Sequence, residues 1–176
     1  MFSKLFLFAA ALPLAYAAPL TGRDTSSPSP FFAYGPGIGG VQLIYVDGVA
    51  YIGNAPSDAK DAQNMTVSFD YDKNMFTAHP VGGADWTDTK YLSIKPNAGA
   101  YDPVEIVNSA PDYIHTGAQL YGDVVFWWSS AGTMISQFYA TPVEGTEGSW
   151  ILRWNSDDSR DESSVAVALK DLPPSN

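Results

Sequence analysis

From Phe31 onward, apolar and polar residues trade places over short runs that end in Gly, Pro, Asn or Asp, and this rhythm predicts strands nearly throughout. Val41 to Val46 and Val49 to Ile52 are two β-rich runs separated by Asp47-Gly48, a dipeptide that tolerates positive φ and predicts a tight hairpin. Met65, Val67, Phe69 and Tyr71 alternate with Thr66, Ser68, Asp70 and Asp72, the period of a strand with one buried and one wet face. Further strands are expected over Met75 to Ala78, Lys90 to Lys95, Val104 to Asn108, Gln119 to Tyr121 and Val124 to Ser129. The last three expected runs are Met134 to Thr141, Ser149 to Asn155 and Val165 to Lys170. No window of helical length has apolar residues spaced by three and four with caps, so little helix is expected in the folded domain.

About ten short strands in one domain predict an all-β fold, an antiparallel β-sandwich, with a β-trefoil-like barrel as the alternative. A trefoil calls for three similar units and none stands out, which favours the sandwich. Val124 to Trp128 is apolar at every position and predicts a central strand covered on both faces. In Ser149 to Asn155, Trp150, Leu152 and Trp154 share one face, so that tryptophan pair is expected in the core.

Ahead of the domain, residues 1–17 combine Lys4, an unbroken apolar run and Ala15-Tyr16-Ala17, the pattern of a secretory signal peptide. Residues 18–30 are rich in Pro, Ser and Thr and predict a flexible leader, leaving 31–176 as a single β domain. The expected destination is extracellular or the cell wall. The C-terminal run Leu169 to Asn176 has neither an apolar tail nor a retention tetrapeptide, so no membrane anchor is expected. In an exported chain, Asn64-Met65-Thr66 becomes a glycosylation acceptor at Asn64.

The absence of cysteine removes thiol catalysis and zinc-thiolate sites, and leaves stability to packing and hydrogen bonds. The formal net charge of −10 opposes nucleic acid and anionic membranes as partners. Gly35-Pro36-Gly37-Ile38-Gly39-Gly40 has the glycines of a phosphate loop, but a strand rather than a helix follows it, so a turn is the better reading. His79 and His115 are the only histidines, no Gly-x-Ser-x-Gly elbow accompanies them, and no catalytic residue is assigned. Glu105, set among Val104, Ile106 and Val107, is the acid most suited to a strand face. Asp157, Asp158, Asp161 and Glu162 offer oxygen ligands for calcium, but their spacing lacks the central glycine of an EF-hand and Arg160 sits among them. A solvated acidic loop is expected there, and no metal or other cofactor.

Aromatic rings remain as candidate chemistry, because saccharides lay their apolar faces on exposed rings. Adjacent Trp127 and Trp128 must point to opposite faces of a strand. Trp86, in the polar stretch Gly82 to Thr89, is the ring expected outside and the candidate carbohydrate contact.

The runs SPFFAYGPGIGG, DGVAYIGN, MTVSF and FYATPVEGTEGSW, behind a signal segment and a Ser/Pro leader, resemble small secreted proteins of filamentous ascomycete fungi. Ala50-Tyr51-Ile52-Gly53, Thr66-x-x-Phe69 and Phe138-x-Ala140-x-Pro142 with Trp150 are more distantly similar to phialide-type and IgE-binding cell-wall proteins of moulds. That resemblance implies a non-enzymatic, secreted or wall-associated β domain whose partner is cell-wall polysaccharide or an extracellular protein. A carbohydrate-binding module is the alternative, and a small polysaccharide hydrolase or lyase follows it.

Overall fold

A computed structural model describes residues 25–82, 85–97, 99–155 and 161–175, and the signal segment lies outside them. The described chain is all-β. The strands are β1 (Phe32–Gly35), β2 (Ile38–Val46), β3 (Val49–Gly53), β4 (Ala62–Asp70), β5 (Met75–Pro80), β6 (Lys90–Ser93) and β7 (Tyr101–Pro103). They continue with β8 (Glu105–Val107), β9 (Ala118–Tyr121), β10 (Val124–Trp128), β11 (Met134–Ile135), β12 (Phe138–Pro142), β13 (Ser149–Asn155) and β14 (Val165–Lys170).

Asp47 and Gly48 both adopt positive φ, 50° and 92°, as a two-residue hairpin needs, and the turn sets the register Val46↔Val49 between β2 and β3. The Asp47 carboxylate then accepts bonds from the backbone N–H of Lys60 and Asp61, at 3.1 and 2.9 Å, which moors the following loop to the same turn. In the glycine-rich run Gly35 to Gly40, Pro36-Gly37 is the turn between β1 and β2, with Gly35 facing Ile38 across it.

Pairing runs β1-β2-β4-β5-β6-β8-β3-β13-β12-β14, and β14 returns to β1 through Phe32↔Lys170, Ala33↔Leu169 and Tyr34↔Ala168. The result is a closed antiparallel barrel of ten strands, so the all-β expectation holds and the barrel alternative fits this ring where a sandwich specifically does not. Closure satisfies the backbone groups that open sheet edges would leave unpaired. The remaining strands attach to the outside of this path: β7 pairs with β13, while β9 and β11 flank β10, which joins β14 at Val124↔Lys170.

One face of each strand of the barrel feeds a single core. Met65, Val67 and Phe69 of β4 are buried as their alternation predicts, together with Phe76, Leu92, Ile106, Phe138 and Trp154. Trp150 is only partly buried but packs on that core. Two expectations change. β10 is not covered on both faces, because it lies on the side branch; Val125 and Trp127 are buried, Val124 and Phe126 half-buried, and Trp128 exposed. The leader, expected to be flexible to Pro30, is paired from Thr25: Ser29 and Val67 exchange both backbone bonds, and Ser26 bonds Phe69 with its N–H and its hydroxyl.

Candidate functional site

The side branch and the barrel wall enclose a pocket of about 410 Å³ whose wall carries three tryptophans, Trp127, Trp128 and Trp154, with Asn97, Ser129 and Ser130. Its residues come from four separated parts of the chain: Ile94, Pro96 and Asn97 beyond β6, the end of β10 with Ser129 and Ser130, Ile135 of β11 and Trp154 of β13. Trp127 is turned into the core and donates its indole N–H to the Thr116 carbonyl at 2.9 Å. Trp128, next in the strand, points the other way and is 47% exposed. Trp154 lies edge-on to Trp127 and Phe138, at centroid separations of 5.9 and 5.0 Å, so neighbouring rings fix its position.

The rim is held by a small turn in which Ser129 Oγ meets Thr133 Oγ1 at 2.8 Å and the Ser129 N–H donates to the Thr133 carbonyl. Among the described residues, no charged side chain lines the pocket. Trp154 Nε1 is buried without a hydrogen-bond partner. Buried polar atoms are normally paired, so an orphaned indole N–H on a residue of the pocket wall is notable. The side-chain chemistry suits an uncharged ligand with one flat apolar face and several hydroxyls.

Trp86, expected outside from its polar neighbourhood, is half-buried and lines a cleft with His79 and Pro80. It packs on the core, 4.9 Å from the Tyr45 ring, with the Lys90 ammonium 5.5 Å from its centroid and 5.7 Å from that of Tyr45. Apolar burial and a cation–π contact outweigh the local polarity of residues 82–89. Trp128 is the exposed tryptophan instead.

The histidines are occupied by structure. Ser68 Oγ and His79 Nε2 meet at 2.8 Å, but Ser68 is only 4% exposed, which removes its hydroxyl from the reach of a substrate. Burial holds the His79 imidazole below the ordinary histidine range. His115 stacks on Tyr91 with centroids 4.6 Å apart. Glu105 is half-buried on β8, and its charge bears on Tyr113, whose hydroxyl is pushed well above the usual tyrosine range, first by burial and then by the charges of Glu105 and Asp102.

Of the acidic-loop candidates, Asp157 and Asp158 lie outside the described residues. Glu162 is exposed, and the Asp161 carboxylate accepts bonds from Ser163 N, Ser163 Oγ and Ser164 Oγ at 3.0, 2.6 and 2.9 Å. Those bonds, led by the Ser163 hydroxyl, hold Asp161 below the usual carboxylate range. Among the described residues, no three His, Asp or Glu side chains gather as a metal site. Asn64 is exposed at the start of β4.

A second, polar hollow of about 370 Å³ went unforeseen. It brings Asp123, in the β9–β10 turn, and Asp171, just after β14, against Ser26, Ser27 and Ser29 of the leader. Burial and the Asp123 charge push the Asp171 carboxyl up. The two acids are remote in sequence; the β10–β14 pairing brings them together, and the Asp171 N–H donates to the Asp123 carbonyl at 3.1 Å.

No family model, no curated protein and no solved structure matches the chain.

Proposed function

We propose that this is a secreted or wall-associated, non-enzymatic β-barrel protein that holds a saccharide against Trp128. The observation that carries the reading is the 410 Å³ pocket in which a half-exposed tryptophan faces hydroxyl and amide side chains. A pyranose ring lays its C–H face on an indole while Ser and Asn groups address its hydroxyls. Export is supported by the signal pattern of residues 1–17, and glycosylation by the exposed sequon at Asn64. Cell-wall polysaccharide is the natural source of the ligand for such a protein.

Pull-down on insoluble polysaccharides, followed by titration of soluble fragments, tests this. Trp128→Ala is expected to weaken binding about tenfold or more, which corresponds to ~1.4 kcal/mol. Trp86→Ala is expected to leave any loss to folding alone. Retained affinity in folded Trp128→Ala would move the site elsewhere.

A second reading, a small polysaccharide hydrolase, rests on one observation: a carboxyl held above its usual range beside a second carboxylate, Asp171 and Asp123, in a hydroxyl-lined hollow. Paired carboxyls of unequal pKa are the acid–base equipment of glycoside hydrolysis. Turnover that disappears in Asp171→Asn would favour it over simple binding.

A further inference from the structure

We infer that the tryptophan pocket selects an uncharged saccharide and binds one of its oxygens through the indole N–H of Trp154. This rests on the saccharide reading of the same pocket and narrows it to a ligand class and a contact.

Among the described residues, the lining has no acid, no base and no histidine. A uronate, sulfated or glucosamine ring entering it would leave water without meeting a counter-charge, and a buried unpaired charge is strongly disfavoured. At longer range, the net charge of −10 repels anionic chains as well. A neutral pyranose has neither difficulty.

The contact follows from a difference between two indoles in one wall. Trp127 and Trp154 are both almost fully buried, but Trp127 Nε1 has the Thr116 carbonyl at 2.9 Å while Trp154 Nε1 has no partner. An indole N–H only donates, so what it lacks is an acceptor. A sugar supplies such an acceptor, since each hydroxyl can accept and so can the ring oxygen. The cavity of about 410 Å³ lies toward the small end of ligand sites, which suits a chain end or a short oligosaccharide.

The test uses the exported chain, labelled with ¹⁵N at its tryptophans. Three sets of short oligosaccharides are titrated: neutral (glucose-, mannose- and N-acetylglucosamine-based), anionic (oligogalacturonate) and cationic (glucosamine-based). Calorimetry gives affinities at low and high salt, and the indole ¹H–¹⁵N resonances give the contact. The expected result is salt-independent binding of a neutral member only, a shifted Trp154 indole resonance and a Trp127 indole resonance that stays put. Trp154→Phe, which keeps an aromatic ring and loses the donor, is expected to weaken binding about tenfold in the folded protein, with a lowered thermal midpoint because the smaller ring leaves space in the core; if it fails to fold, the wild-type resonance still decides. Tighter binding of a charged set would overturn the selectivity and leave the saccharide reading intact. Neutral binding without movement of the Trp154 resonance would overturn the contact. Failure of all three sets would remove the saccharide reading itself, and this inference with it.

Discussion

Ser68 on β4 and His79 on β5 are diagonal neighbours, joined at 2.8 Å through Oγ and Nε2 where the register pairs Thr66 with His79 and Ser68 with Thr77. Their face of β4 is opposite the one that buries Met65, Val67 and Phe69, so the pair is a polar tie laid over the barrel wall.

Burial lowers the His79 pKa, so the folded state favours neutral imidazole while the unfolded chain takes up protons near the ordinary value of 6.5. Stability through this group is therefore full above pH 6.5 and lost as pH falls from there toward the folded pKa. Urea midpoints at pH 7.5 and pH 5.5 are expected to fall with acid in the wild type and to differ less in His79→Gln. An unchanged acid slope in that variant would remove His79 from the account.

Asp171 works in the opposite sense. Its pKa is raised by burial and by the Asp123 charge, so the folded state holds a proton more tightly than the unfolded chain does. Ionisation costs stability above the folded pKa, and acidification through the window above the ordinary 3.8 returns it. Asp171→Asn is expected to raise the unfolding midpoint at pH 7 and to have little effect near pH 3.5, while Asp123→Asn gives a smaller gain by removing the repulsion alone. A midpoint that drops at pH 7 in both variants would mean that the ionised pair makes a contact worth more than its repulsion.

Gly53 closes β3 against the β12–β13 hairpin at a φ of 84°, and a Cβ built on it would stand 2.1 Å from the Gly148 carbonyl oxygen. Both backbone conformation and space therefore demand glycine. Gly53→Ala is expected to cost about 3 kcal/mol or more, the upper range for a strained backbone position plus a clash. Gly37→Ala supplies the control: it has positive φ with open space around it, so only the conformational part, roughly 1 kcal/mol, is expected. Equal denaturant midpoints for the two variants would show that the sheet yields at Gly53.

What the chain discloses about itself divides by range. The Asp47-Gly48 hairpin and the buried face of Met65, Val67 and Phe69 were readable because turn chemistry and side-chain period are properties of neighbouring residues. Barrel closure was not, because Phe32 meets Lys170 across nearly the whole domain and no local pattern encodes that partner. The pocket shows both cases. Adjacency required one of Trp127 and Trp128 to face outward, but which one, and that Trp154 and Asn97 join them, depends on tertiary pairing. Trp86 misled for the same reason: its loop is polar, yet Tyr45 and Lys90 receive the ring.

The acidic loop supplies the last prediction. Asp161 is the described carboxylate most engaged there, and its bonds to Ser163 and Ser164 continue through Ser164 Oγ to Thr141 Oγ1 at 2.8 Å and to the Tyr101 hydroxyl. That chain of bonds ties the loop before β14 to β12 and β7, and it occupies lone pairs that a cation would need. A calcium ion bound to the native state alone would stabilise it by about 2.7 kcal/mol at a hundredfold excess over its dissociation constant, which is a shift of several degrees in a domain of this size. Equal thermal midpoints are expected in millimolar calcium and in chelator at fixed ionic strength. Asp161→Ala is expected to lower the midpoint slightly in both, by no more than about 1 kcal/mol, because these bonds lie at the surface. Its pKa is depressed in the fold, so this contribution is present above the ordinary 3.8 and fades as pH falls toward the folded value, where wild type and variant converge. A calcium-dependent rise that vanishes in Asp161→Ala would show instead that the serine bonds give way to the ion.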